Sequence, residues 1–323
     1  MNRQALGIHH ITAIAADPQR NLDFYAGLLG LRFVKRTVNF DDPSTYHFYF
    51  GDEQGAPGTI LTFFPWPGAR RGRVGPGQVG ATAFAVPAGS LDFWRDRLRG
   101  QGVRPADEGS RFGEAVISFE DPDGLRLELI AAAWAGGVAG WQDGPVPAAM
   151  AVRGFHSVTL WVRDDGPTAS VLTGPLGFEP AGSEAMRHRF TAVAPGVGGT
   201  VDLLVVPTEL AGSSGAGTVH HVAWRAADDA GQLELRTAVL RHGLDPTPVI
   251  DRTYFHSIYF REPGGVLFEI ATDNPGFAID EPAAHLGEKL MLPEQFEGDR
   301  AALEALLPPL VVPGALSRAE VLS

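Results

Sequence analysis

The chain contains no cysteine. That excludes disulfides and thiolate chemistry, so any metal would be held by histidine, aspartate or glutamate. No apolar run approaches the length of a transmembrane helix, and the N-terminal MNRQALGIHH lacks the apolar core of a signal peptide. The expected location is therefore the cytoplasm, with no membrane partner. Positive charge is scarce: 26 Lys and Arg stand against 38 Asp and Glu, and the net charge of −12 argues against a nucleic-acid partner. The one basic cluster, Arg70, Arg71 and Arg73, lies in a Gly/Pro-rich stretch and reads as a solvated loop. Glycines such as Gly72 to Gly77 lack the strand-to-helix context of a phosphate-binding loop.

What is present is internal repetition in 323 residues, 44% apolar and 20% charged, enough for two globular domains. Four units each read strand, helix, strand, strand, strand. The first opens GIHHITAIAAD (Gly7 to Asp17), continues in a helix from Asn21 to Leu31, and ends in STYHFYFGD and GTILTFFPW. The second runs from Gly80 to Ala133 with a helix from Ser90 to Val103. The third opens GFHSVTLWVRD and has a shorter helical segment. The fourth spans Thr218 to Asp273, with a helix from Gly231 to Leu244. One such unit cannot bury both faces of its sheet, so units must pair. The prediction is an α+β fold of four βαβββ modules paired into two barrel-like domains. Residues 7–135 and 153–275 each hold two modules, with Ala132 to Val152 as linker. A tail, 276–323, carries a short helix over Asp299 to Leu310 and wraps back on the body.

Superimposing the units places His10, Thr82, Ser157 and His221 in one column and His9, Ala81, His156 and His220 in the next. DPDGLRLELIA aligned with EPGGVLFEIA sets Glu128 opposite Glu269. Glu269 stands in an apolar strand, where an unpaired carboxylate is too costly to keep. Only unit four holds both a column histidine and the glutamate, and unit one supplies the other histidine. The asymmetry predicts that units one and four pair around one metal held by His10, His221 and Glu269, with units two and three forming a metal-free pair in which Glu128 is a satisfied relic. Strand neighbours face opposite sides, so spacing alone does not say which histidine of each HH pair is the ligand.

Beyond the four-unit plan, GIHHITAI, GLRFVKRTVNFDDPSTYHFYFGDEQGAPGT, RGFHS, RHRF, RTYFHSIYFREPGGVLFE and the LGEKLMLPEQFE tail are similar to one group of proteins. The chain resembles the vicinal oxygen chelate (glyoxalase/bleomycin-resistance/dioxygenase) superfamily, and within it the ring-cleaving dioxygenases acting on hydroquinones. The resemblance implies an Fe(II) site on His10, His221 and Glu269, and surrounding residues His9, Thr12, His220, Arg252 and Tyr259. It implies extradiol-type ring cleavage, with a small aromatic substrate and O2 as partners; a homo-oligomer stays open. Mn(II) fits the same ligand types. In this reading Arg252 stabilises a developing anion, Tyr259 donates a hydrogen bond to it, and His9 or His220 exchanges a proton near neutral pH. His47, His188 and His256 lie on strands from which they could reach substrate.

Two rivals stand beside this reading. A glyoxalase-type lyase or isomerase would use a fourth protein ligand, usually a second carboxylate from the partner unit, and unit one offers only TILTFF there. A non-catalytic protein that binds an aromatic compound or drug would not need the complete triad.

Overall fold

The computed structural model describes residues 4–193 and 196–312. Module one comprises β1 (Ile8–Ala15), α1 (Pro18–Leu22), β2 (Arg32–Asn39), β3 (Asp42–Gly51) and β4 (Ile60–Pro65). Module two comprises β5 (Gln78–Pro87), α2 (Leu91–Gly100), β6 (Ala106–Arg111), β7 (Glu114–Glu120) and β8 (Arg126–Ala132). Module three comprises β9 (Phe155–Val162), α3 (Asp165–Thr173), β10 (Glu179–Glu184), β11 (Arg187–Thr191) and β12 (Thr200–Val205). Module four comprises β13 (Thr218–Ala226), α4 (Asp229–Arg241), β14 (Ile250–Asp251), β15 (Phe255–Arg261) and β16 (Leu267–Pro275). A last helix, α5 (Arg300–Leu306), lies in the tail.

Local chemistry sets where the helices begin. Asp17, Asp164 and Asp228 each sit at an N-cap and accept a backbone N–H from the first turn. Pro18 follows Asp17 at the first helical position, so the first helix starts ahead of Asn21 and runs into a π turn, Asp23–Leu28. The tail helix stops at Leu306, earlier than Leu310, because Pro308 and Pro309 disfavour helical backbone before them.

The strands form two eight-stranded sheets, ordered β14-β15-β16-β13-β1-β4-β3-β2 and β10-β11-β12-β9-β5-β8-β7-β6. Module one thus joins module four, through antiparallel β1 and β13, and module two joins module three, through β5 and β9. The sheets cut across the sequence halves 7–135 and 153–275, since each takes one module from either side. Exposed edges are polar: β6 reads ADEGSR and β10 EPAGSE, which suits strands that must not recruit another chain. Behind the sheets a continuous core runs through both, including Phe84 and Phe155 stacked at 5.2 Å.

The tail closes against module one. Lys35, fully buried on β2, donates to Asp280 at 2.6 Å and to Glu281, while Met291 N donates to the Arg36 carbonyl at 2.9 Å. The remainder of 276–323, past residue 312, lies outside the described residues. The Arg70–Arg73 stretch is more than a solvated loop: Arg71 and Arg73 make backbone bridges to Ala216 and Ser213 in the approach to β13.

Candidate metal centre

His10 on β1, His221 on β13 and Glu269 on β16 meet in the first sheet. Register explains the meeting: β13 sits between β1 and β16, with Thr12 opposite His221 and Ala223 opposite Glu269. His10 Nε2 lies 3.3 Å from His221 Nε2 and 3.3 Å from Glu269 Oε2, and His221 Nε2 lies 2.9 Å from that same oxygen. All three residues are buried.

The ring contacts settle which nitrogen of each histidine faces the centre. His10 Nδ1 is 2.9 Å from His9 Nδ1, and His221 Nδ1 is 2.8 Å from His220 Nδ1. If each ligand histidine donates its Nδ1–H to its neighbour, both Nε2 atoms present lone pairs to the centre. A bulge in β1 between Ile8 and His10 lets consecutive residues make this contact despite the alternation of a regular strand. Ser257 Oγ donates to Glu269 Oε1, leaving Oε2 to face the imidazoles. Burial would raise the Glu269 carboxyl, but the neighbouring His10 and His221 outweigh it and hold it well below the usual range. Oε2 has no well-formed hydrogen bond among the described residues. Three lone-pair atoms converging in a buried site, with two nitrogens and one oxygen, suit a divalent transition metal.

His9 is held down at about 3 by burial and the adjacent His10, and His220 at about 4 by burial and the adjacent His221. Burial thus favours the neutral ring at both positions, and the Nδ1 contacts of His9 and His220 orient the ligand rings. Thr12 is fully buried, two residues after His10. Arg252 Nε donates to the Tyr259 hydroxyl at 3.3 Å, and the guanidinium also faces Asp41 Oδ2 at 3.4 Å. Arg252 is placed by a turn in which Thr253 takes φ 68, a strained value for a β-branched residue. Burial, then the Glu269 charge, pushes the Tyr259 phenol well above its ordinary value, so it stays protonated as a donor.

His47 reaches this region: its ring lies 4.4 Å from that of Phe64, which in turn lies 5.9 Å from His220. His188 and His256 do not. His188, in the second sheet, bonds Ser183 at 2.9 Å, and His256 points outward to Asp229 at 2.6 Å. Tyr49, two residues from His47 on the same face of β3, is the hydrogen-bond partner of its ring, and residues the sequence leaves unmarked are Ser257, Thr62, Asp41 and Phe255. Period-two alternation in FHSIYFR sets Phe255 and Ser257 on the face of Tyr259 and could have found them. Phe255 contacts both His9 and His10, at 5.2 and 4.9 Å between centroids. It belongs to an apolar cluster with Tyr49, Tyr254 and the tail residues Phe277 and Leu286.

In the second sheet, Glu128 is clamped by Arg111 at 2.6 and 2.9 Å, and Asp202 by Arg189 at 2.8 and 3.0 Å. Guanidinium groups thus neutralise carboxylates at positions equivalent to Glu269. Thr82 is fully buried on β5, and Ser157 bonds His156. A cleft of about 670 Å³ beside the π turn, reaching Phe24 and Phe119, holds none of the triad.

Paired βαβββ modules bring two histidines and one carboxylate to a single buried point that could hold a metal ion. The chain belongs to the Glyoxalase/Bleomycin resistance protein/Dioxygenase superfamily, whose family model matches residues 7–129. It is 50% identical to "Putative ring-cleaving dioxygenase MhqO" of Bacillus subtilis (strain 168), over 97% of this chain and 99% of that protein. It is 35% identical to "Chlorohydroquinone/hydroquinone 1,2-dioxygenase" of Sphingobium indicum, over 95% and 97%. The crystal structure of a "putative dioxygenase" from Bacillus subtilis subsp. subtilis str. 168 matches with a TM-score of 0.92 at 50% identity, covering 96% of this chain and 99% of that one. Among the described residues, no helix is long and apolar enough to cross a membrane.

Proposed function

We propose that the protein is a metal-dependent dioxygenase that opens the ring of a hydroquinone-type diol with O2, in the extradiol sense that the bond broken adjoins a hydroxylated carbon. The observation that carries the reading is the buried convergence of His10, His221 and Glu269, with the outward atom of each ligand tied to His9, His220 and Ser257. These residues would hold Fe(II), with Mn(II) accommodated by the same ligand types, supplying redox chemistry and adjacent open positions for a phenolic oxygen and O2.

The chain's own groups have separable tasks. Arg252 offers fixed positive charge that favours an ionised hydroxyl of the substrate. Tyr259, held protonated, donates a hydrogen bond where negative charge develops. His9 and His220, kept neutral, hold the ligand rings in one tautomer. Phe255 and its apolar neighbours give a dry wall suited to an aromatic ring. Against a glyoxalase-type lyase stands the register of β1 with β4, which sets Thr62 beside Thr12 where module four has Glu269 beside Ala223. A threonine there supplies no second carboxylate.

The test is O2 uptake by protein loaded anaerobically with Fe(II), comparing hydroquinone, catechol and the methylglyoxal–glutathione hemithioacetal. Stoichiometric uptake with hydroquinone, lost in His221→Ala, is expected. Isomerisation of the hemithioacetal with Ni(II) or Zn(II), without O2 uptake on either aromatic, would overturn the reading.

A further inference from the structure

Beside the metal ligands runs a chain of hydrogen bonds that the ligand set does not require. The Tyr49 hydroxyl is 2.9 Å from His47 Nδ1, His47 Nε2 is 2.9 Å from Thr62 Oγ1, and Thr62 Oγ1 is 2.9 Å from Thr12 Oγ1. Thr12 adjoins the centre on β1, two residues from His10 and in register with His221. The four side chains come from β1, β3 and β4, so only the folded sheet assembles them.

The chain has a direction. Tyr49 has no other acceptor among the described residues, so its O–H points at His47 Nδ1. Burial lowers His47 well below the ordinary histidine value, which keeps it neutral. A neutral ring that accepts at Nδ1 must carry its proton on Nε2, and that proton goes to Thr62. Thr62 then has its own proton to give, and gives it to Thr12. The Thr12 hydrogen, last in line, has no acceptor among the described residues.

We propose that Tyr49, His47 and Thr62 are positioning residues that fix the Thr12 hydroxyl as a hydrogen-bond donor toward an ionised phenolic oxygen bound at the centre. The proposal rests on the dioxygenase reading for its ligand class and deepens it: the site selects a phenolate through a donor whose direction is set three side chains away. It also gives Thr62 a use at the position where a second carboxylate would otherwise stand. With both ring nitrogens engaged, His47 acts through Thr62 rather than on the ligand. Removing the Tyr49 hydroxyl frees the His47 tautomer, and the chain can then reverse, turning the Thr12 proton away from the ligand.

The experiment uses full-length protein loaded with redox-inert Zn(II) and titrated with 4-nitrophenol, whose absorbance reports the bound phenolate. Thr62→Val and Tyr49→Phe are expected to weaken binding by about tenfold, the loss of one hydrogen bond to a charged oxygen, with zinc content and thermal midpoint unchanged. Thr62→Ser is expected to restore it. Equal affinity in all four proteins, or binding by none, overturns the proposal. So does a fall that merely tracks zinc content, since that assigns the chain a folding role. Because no turnover is read, failure of the ring-cleaving reaction in the O2 experiment is a separate result.

Discussion

Glu269 carries the largest consequence of any single side chain. Its Oε2 faces two imidazole nitrogens at 2.9 and 3.3 Å, a cluster that a cation completes. Metal that binds only the folded state stabilises it by mass action. A chelator is therefore expected to lower the thermal midpoint of the metal-loaded protein and to leave Glu269→Gln unchanged, as scanning calorimetry would show. Ser257→Ala removes the hydroxyl that fixes the other carboxylate oxygen. A competition titration should find its metal affinity lower by roughly ten- to a hundredfold, as for other residues supporting a ligand. At this scale the sequence shows residue types but not ring orientation. The HH pairs are conspicuous in GIHHITAI and TVHHVAW. Which member of each pair is the ligand depends on a bulge and on Nδ1 contacts, and neither leaves a mark in the spacing.

Between elements, buried carboxylates organise the turns. The turn before β8 is organised by Asp121, whose carboxylate accepts from Asp123 N, Leu125 N and the Tyr25 hydroxyl. Before β16, Glu262 does the same for Gly264 N and Val266 N. Burial raises the Asp121 carboxyl from 3.8 to about 6, so the folded state holds its proton more tightly than the unfolded chain. The stability gained is fully present below about pH 4 and is lost as pH rises through 6. Asp121→Asn should therefore gain on the parent by about 2–3 kcal/mol between pH 4 and 7.5, read by urea denaturation at both values. On β2, Lys35 is enclosed with two tail carboxylates, Asp280 and Glu281. Lys35→Ala leaves them buried without a counterion and is expected to cost about 3–5 kcal/mol in the same assay. The helices were legible as periodic segments, but their starts, just after the capping Asp17 and Asp228, lie two to three residues ahead of the apolar pattern that marks Asn21 and Gly231. A buried lysine inside RFVKRTVN was not legible, because its partners lie some 245 residues away.

Across the whole molecule, each sheet draws one module from either half of the sequence. A fragment spanning 153–312 retains His221 and Glu269 but lacks His10 and the β1 partner of β13. It is expected to bind no metal in equilibrium dialysis and to regain binding when mixed with the N-terminal half. The sequence by itself determined the four βαβββ modules, the restriction of metal ligands to nitrogen and oxygen, and the pairing of modules one and four. Periodicity, composition and the asymmetry of the repeats are local or countable properties. Tertiary structure alone decided that His47 faces the centre while His188 and His256 turn to the surface. It also decided that His9 and His220 are buried against the ligand rings, that arginines occupy the second sheet's carboxylates, and that Thr62 links His47 to Thr12. Each of these turns on desolvation or on an atom brought close from a distant strand.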